Sequence, residues 1–338
     1  MVSIGLSLRL EHLHPRAAVD LAVLAETHGF SGVMAADHFQ PWLPDGGHAP
    51  FVWSVLSAIG ERTTGDLGPG VTTPSFRWHP AVVAQASATT AAMFPGRHWL
   101  GIGSGEAINE HVVARYWPEA HERIDRMFEA VDLIRTLFTA SLQNRDARHA
   151  GRFFSMESTR LWTMPDTAPE VLVAASGPVT AKRVGRSADG IITVGAPDDR
   201  VPRLLSRFAD GAREAGRDPG SMTKMIQLHL SWAPTDDEAL RQALERWPIG
   251  AMPFRKSDIR SPYDFKQLAR TVRPEDFAGH VLISSDLDAH REYIQTHIDM
   301  GFDRIYLHHV GADQRAWVEA FGSAVLPRLR GVPGLRGL

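Results

Sequence analysis

The chain has no cysteine in its 338 residues. Disulfides, thiolate catalysis and cysteine-ligated metal are therefore excluded. It also lacks any apolar run of transmembrane length. Its start, Met1-Val-Ser-Ile-Gly-Leu6, has no basic segment ahead of a long apolar one. A membrane span or secretory leader is not expected, and the reading is a cytoplasmic protein. No excess of one charge stands out: 36 Lys and Arg are interspersed with 39 Asp and Glu, leaving a formal net charge of −3. Nucleic acid and membrane surfaces are thus not expected partners. Internal repeats and low-complexity tracts are missing too. What remains is an ordinary globular composition, 43% hydrophobic and 22% charged, able to bury a large core. The length suits either two average domains or one (β/α)8 barrel with insertions.

Taken in order, strand and helix signals alternate. Ser3 to Leu8 reads as a strand, and Pro15 to Gly29 as a helix that proline opens and glycine closes. Phe30 to Met34 is a short buried strand, followed by a Gly- and Pro-rich loop and a helix from about Phe51 to Glu61. Leu67 to Thr72 and Trp99 to Gly103 are the third and fourth strands, with helices over Ala81 to Met93 and about Glu119 to Phe138. Four more strands follow, over Glu170–Ala174, Gly190–Val194, Thr223–Trp232 and Arg304–His309. Their helices run from Pro178, over Val201–Ala215, over Asp236–Glu245 and over Trp317–Leu329, with a further helix at Asp288–Asp299. Two irregular stretches, about 139–165 and about 247–280, break the alternation, the second ending in a short extra strand at Val281. Eight strand–helix units favour a closed parallel barrel over an open sheet. The prediction is an α/β protein, a (β/α)8 TIM barrel with insertions, forming one domain over 1–338.

Such barrels carry their chemistry on the loops after the strands. After strand two stand Asp37, His38 and Trp42, with Pro41 stopping any continuation. A histidine there can carry a proton near neutral pH, and a neighbouring carboxylate can tune it. The same pair also reads as a capping aspartate beside a satisfied histidine. Glu11, His12 and His14 follow strand one, and Gly101-Ile-Gly-Ser-Gly-Glu106 spans the end of strand four. That glycine run suits backbone approach to an anionic ligand, or simply a tight turn. Ser176-Gly177-Pro178 suits a phosphate at a helix start or an everyday helix opening. His12-x-His14 invites a metal-hydrolase reading, but the middle strands offer no further histidines, so no metal is expected. His308 and His309 line the barrel mouth or pack beneath it.

Four segments taken together resemble a known family. Asp37-His38-Phe-Gln-Pro-Trp42, Gly46-Gly-His-Ala-Pro-Phe51, Pro80-Ala-Val-Val-Ala-Gln85 and Gly103-Ser-Gly-Glu106-Ala-Ile-Asn109-Glu110 are similar to the F420-dependent glucose-6-phosphate dehydrogenases. These belong to the bacterial luciferase-like superfamily of flavin and deazaflavin barrels. The resemblance runs from Glu11 to about Arg330. It implies a barrel that holds the deazaflavin coenzyme F420 across its strand ends, usually in a homodimer. It further implies that His38 is the general base, Trp42 a wall of the substrate site, Glu106 a proton donor toward the cofactor and Glu11 a modulator of the histidine. Asp37 and Asn109 are implied near the ring, and Gly70-Val71 match a strained bulge behind it. Ser104, Gly105, Ser176 and Gly177 are implied to hold the cofactor tail.

The same comparison implies where the pattern departs. Lys256 matches one basic residue that grips the substrate phosphate, Pro197 stands where a second lysine is expected, and His280 where an arginine is expected. Arginine clamps phosphate bidentately and histidine does not. Glucose 6-phosphate is therefore expected to be a poor substrate, with Arg200, Arg255 or Arg260 as possible compensation. Three functional readings stand: an F420-dependent dehydrogenase or reductase acting on a sugar, sugar phosphate or other alcohol; an FMN-dependent monooxygenase on the same barrel; and an idle cofactor-binding protein. The joint presence of Asp37, His38, Trp42 and Glu106 weighs against the third.

Overall fold

The computed structural model describes residues 1–113, 116–197 and 199–332. Its strands, in chain order, are β1 (Ser3–Leu8), β2 (Gly32–Ala35), β3 (Asp66–Pro69), β4 (Trp99–Ile102), β5 (Ala147–Ala150) and β6 (Ser155–Thr159). They continue as β7 (Glu170–Ala174), β8 (Gly190–Val194), β9 (Thr223–Ser231), β10 (Leu282–Ile283) and β11 (Arg304–His309). Eight of them pair in parallel in the order β3-β2-β1-β11-β9-β8-β7-β4. The ring closes between β4 and β3 through bridges at Leu67–His98 and Thr72–Ile102. This is the TIM barrel that the alternation predicted.

The helices, most of them on the outer face, are α1 (Pro15–Thr27), α2 (Val52–Gly60), α3 (Pro80–Met93), the four-residue α4 (Ala107–Glu110) at the barrel mouth and α5 (Ala120–Leu142). They continue with α6 (Pro178–Ser187), α7 (Arg200–Glu214), α8 (Asp236–Arg246), α9 (Pro262–Ala269), α10 (Leu287–Asp299) and α11 (Gln314–Ala320). Local chemistry sets their ends. His14 Nδ1 accepts from Arg16 N at 3.3 Å ahead of α1, and Gly29 at φ 92° turns the chain into β2.

Several boundaries differ from the sequence reading. The third strand ends at Pro69, and the following Gly70–Val71 peptide is cis. Helix α5 runs on to Leu142, because nothing breaks it before Asn144, which takes φ 56°. The last helix does not continue to Leu329. It gives way at Phe321 to a π turn and then to a 3-10 turn over Leu326–Arg328, where Pro327 cannot donate. The first insertion is a small antiparallel hairpin of β5 and β6. The second carries α9 and its own apolar cluster, in which Phe265, Phe277, Ile249 and Val281 pack with Leu43, Ile108 and Val310. It is thereby pinned over the carboxyl ends of the strands.

The barrel interior is filled. Met34, Trp99, Leu172, Ile192, Met225 and Tyr306 form one buried layer inside the ring. Towards the amino ends of the strands, the Tyr306 hydroxyl donates to Asp66 at 2.5 Å, Trp99 Nε1 donates to Tyr306 at 3.2 Å, and Arg304 pairs with Glu170 at 2.8 Å. Gly32 permits this crossing, since a Cβ there would lie 1.7 Å from Asp66 Oδ1. With that end plugged, ligands reach only the opposite mouth. Among the described residues no helix is long and apolar enough to cross a membrane.

Candidate active site at the barrel mouth

Two cavities meet at the carboxyl ends of the strands. The smaller, about 340 Å³, has a floor of Gly70, Val71, Gly103, Ala174, Ala175, Ile192 and Val194, with Ser104, Thr73, Ser176 and Thr193 among its polar edges. The larger, about 710 Å³, is walled by Trp42, Trp247 and Phe254 and carries Arg200, Arg255, Lys256 and His280. His38, Gly70, Glu106, Ser176, Val194 and Gln227 border both.

Backbone forms much of the smaller floor. A Cβ at Gly70 would come within 2.2 Å of Met34 Cγ and Sδ, and one at Gly103 within 2.5 Å of Val71 Cγ2. Gly105 sits at φ 82°, where a side chain is strained. A flat apolar floor edged by hydroxyls and amides suits a planar heterocycle with a polar rim.

His38 stands at the seam, held from several sides. Asn109 Oδ1 accepts from the backbone N–H of Phe39 at 2.8 Å and of Gln40 at 3.3 Å. The Gln40 amide reaches back to the Ile108 carbonyl at 2.7 Å. The imidazole is hydrogen-bonded through Nδ1 to Glu11, which leaves Nε2 facing Glu106 at 4.0 Å. Trp42 meets the imidazole edge-on, ring centres 5.4 Å apart, and is itself wedged against Phe265 at 5.1 Å.

The charges are coupled. Burial alone would raise the Glu11 carboxyl, but the charge and hydrogen bond of His38 outweigh it and hold it down to about 2. Burial would lower His38, yet Glu11, then Glu106 and Asp37, raise it above the ordinary imidazole value. Glu106 is raised by burial, against the pull of His38 and Lys256. Lys256 is lowered by burial, and its Nζ donates to the Ile249 carbonyl at 2.8 Å. His280 is lowered by burial and by the nearby Lys256 and Arg200.

Most residues singled out in the sequence come together here. Glu11, Trp42, Lys256 and His280 line the larger cavity, and Asp37, Val71, Ser104, Gly105 and Asn109 the smaller, while His38, Gly70, Glu106 and Ser176 line both. Gly177 is not part of either wall; it precedes α6, and a Cβ there would meet nothing within 4 Å. Pro197 is also absent from the cavity wall and packs behind Gly279, beside His280. Arg200 and Arg255 do reach the larger cavity; Arg260 does not. The Asp37 carboxylate is largely committed, accepting from Thr72 Oγ1 at 2.6 Å and pairing with Arg77 at 3.3 Å. His12 is lowered to about 4, by burial first and by Arg9 next, and His14 serves as the cap of α1.

Sequence reading missed Arg77, Gln227, His229 and Trp247. For two of them a signal was present. Gln227 and His229 alternate with apolar Ile226, Leu228 and Leu230 along β9, as inward-facing barrel positions do. His308 stands opposite His229 in the β9–β11 register and lines the larger cavity.

Comparison with known proteins fits this geometry. The luciferase-like monooxygenase family model matches residues 3–304. The chain is 37% identical over 335 residues to the F420-dependent glucose-6-phosphate dehydrogenase of Rhodococcus erythropolis, covering 97% of this chain and 98% of the relative. It is 38% identical over 336 residues to the F420-dependent glucose-6-phosphate dehydrogenase 2 of Rhodococcus jostii, covering 97% and 98%. Among solved structures, an F420-dependent secondary alcohol dehydrogenase in complex with an F420-acetone adduct superimposes with a TM-score of 0.90 at 28% identity, over 97% of this chain and 99% of that one. The F420-dependent tetrahydromethanopterin reductase of Methanopyrus kandleri, at 19% identity and a TM-score of 0.79, shares the fold. The chain belongs to the luciferase-like monooxygenase family.

Proposed function

We propose that the protein is an F420-dependent oxidoreductase that interconverts an alcohol and a carbonyl compound, with His38 as the general base. The observation that carries this reading is His38 at the seam of two cavities, its Nδ1 fixed on Glu11 and its Nε2 open toward Glu106. The names of the relatives, nearly all of whose length this chain matches, support the cofactor. The lining of the smaller cavity suits a deazaflavin ring, which Gly70, Val71 and Gly103 would support and Ser104, Gly105, Asn109 and Ser176 would help to hold.

A bound deazaflavin supplies the acceptor for the hydride of the carbinol carbon. The protein's own work is proton handling and placement. With Nδ1–H donating to Glu11, neutral His38 presents the Nε2 lone pair to a substrate hydroxyl in the larger cavity. Removing that proton pushes electron density onto oxygen and weakens the C–H bond. The imidazolium so formed is stabilised by the Glu11 carboxylate on Nδ1. Trp42 holds the imidazole edge and closes the cavity beside it. Glu106, whose carboxyl keeps its proton to higher pH than usual, is assigned the donor role toward the cofactor side. Titration with F420 and with FMN, each followed by an alcohol panel, tests the reading. Saturable binding of F420 with no alcohol-dependent bleaching of its absorbance would overturn the oxidoreductase assignment.

Glu11 sets the pH window. A base must be neutral to act, so activity rises as pH climbs through the His38 pKa, and Glu11 places that limb higher. In Glu11→Gln the largest upward influence on His38 is removed while the lowering effect of burial stays. The acid limb of kcat/KM is expected to move to lower pH, with a smaller plateau because the ring is less firmly oriented. An unmoved limb would show that His38 is not the titrating group.

The larger cavity also sets the donor class. Lys256 and His280 sit within it, but burial lowers both, and Pro197 supplies no charge. His280→Arg is expected to raise kcat/KM for glucose 6-phosphate by about tenfold, the worth of one charge-assisted contact. No gain would mean that Arg200 and Arg255 already hold the phosphate.

A further inference from the structure

The larger cavity holds a polar cluster that the proposed proton chemistry does not use. Gln227 Nε2 lies 3.3 Å from His229 Nε2 and 3.2 Å from His308 Nδ1, so one amide bridges two imidazoles. The two rings are 4.9 Å apart, and Trp247 stacks on His229 at 5.4 Å and 24° while meeting His308 edge-on at 4.6 Å. Arg9 lies beneath, its guanidinium 5.8 Å from the centre of a Trp247 ring. Gln227, His229, His308 and Trp247 all line the cavity that contains His38.

Both imidazoles are neutral near pH 7. Burial is the main cause, lowering His229 to about 3 with help from Lys256, His280 and Arg9. His308 is lowered well below the ordinary value by burial, then by His229 and Arg9. When the glutamine N–H groups occupy Nε2 of His229 and Nδ1 of His308, each ring keeps its other nitrogen as an N–H donor. The glutamine carbonyl remains an acceptor. The cluster therefore offers uncharged donors and an acceptor close together, beside an aromatic face. That is the complement of a hydroxyl, which both donates and accepts, on a carbon skeleton that packs against indole.

We infer that Gln227, His229 and His308 form a hydroxyl-binding floor, and that the alcohol handled at His38 carries at least one further uncharged hydroxyl. This rests on the alcohol oxidoreductase reading above and makes the three residues specificity determinants within it. A substrate with one hydroxyl would cover the floor without satisfying it. Sites built to hydrogen-bond a hydroxyl discriminate strongly against analogues that lack it.

The test uses the F420-loaded protein and matched ligands: cyclohexanol, cyclohexane-1,2-diol, cyclohexane-1,3-diol and D-glucose. Calorimetric titration gives their affinities for the parent, His229→Phe and Gln227→Met. The phenyl ring keeps the stack on Trp247, and Gln227→Met leaves both imidazoles in place should the first variant fold poorly. The parent is expected to bind at least one diol or D-glucose about tenfold more tightly than cyclohexanol. In either variant that preference should fall to about twofold, with cyclohexanol affinity unchanged. In turnover the same loss should appear in KM for the diol while kcat holds. Cyclohexanol binding as tightly as every polyol in the parent overturns the inference, as does a parallel loss of all ligands in both variants. Selective polyol binding without any reduction of F420 would instead sink the oxidoreductase reading and leave the floor standing.

Discussion

His38→Ala is expected to lower turnover with any accepted alcohol by about two to four orders of magnitude, the usual contribution of a positioned general base. Among the described residues at the mouth, none is placed to take over the task. Glu106 lies 4.0 Å from the imidazole, but burial raises its carboxyl so that it keeps its proton to higher pH, and a protonated carboxyl does not accept another. His229 and His308 are held neutral by burial and bridged by Gln227. F420 affinity should change little, because the smaller cavity rests on backbone and small side chains and the imidazole is only part of its border. A second signature accompanies the loss: the acid limb of the pH profile set by His38 should vanish, leaving a shallow dependence. Exogenous imidazole should restore part of the rate, since the vacated volume opens onto the larger cavity. Turnover within about threefold of the parent, with the acid limb intact, would remove His38 from the mechanism.

The parts of the site that could be read in the sequence are those whose meaning is local. Asp37, His38 and Trp42 follow one short strand, and Gly103 to Asn109 follow another, so knowing that a barrel displays its strand ends was enough to put them together. Eight-fold alternation of strands and helices supplied the barrel itself. What escaped depends on register and on loops. Gln227 and His308 are 81 residues apart and meet only because β9 and β11 pair with His308 opposite His229. Trp247 reaches them from an insertion without regular periodicity, so its partners could not be read from spacing. Gly177 was open to two readings, a ligand-binding turn or a plain helix opening, and the fold places it outside both cavity walls at the lead-in to α6. Helix ends were misjudged where the deciding residue is tertiary or unusual, as at Asn144 and at the π turn after Ala320.

Arg77 lies in a loop that carries no motif, yet the arrangement around it is expected to make its loss one of the most damaging single changes. Its Nε is 2.8 Å from Glu110, one terminal nitrogen lies 3.3 Å from the Asp37 carboxylate, and the same nitrogen donates to the Asp37 carbonyl at 2.9 Å. All three side chains are buried, at 5%, 1% and 0% exposure for Arg77, Asp37 and Glu110. Two carboxylates thus share one guanidinium, with Thr72 donating to Asp37 and the backbone N–H groups of Phe76 and Arg77 donating to Glu110. Arg77→Met keeps much of the volume but strands both carboxylates out of water. Breaking a buried ion pair from one side costs about 3–5 kcal/mol, because the remaining charge has no partner. The damage is not confined to stability. Asp37 immediately precedes His38, and Glu110 follows Asn109, whose side chain holds Phe39 and Gln40 in place. Urea unfolding monitored by circular dichroism should show the parent more stable by that amount, with an unchanged slope. Adding Glu110→Gln to Arg77→Met should recover part of the loss, since one of the two stranded charges is gone and the amide still accepts from Phe76 and Arg77 N–H. Non-additivity of that kind is what coupling within one network requires. If Arg77→Met unfolds within about 1 kcal/mol of the parent, the pairing contributes no more than an exposed one. His38 would then owe its position to Glu11 and Asn109 alone.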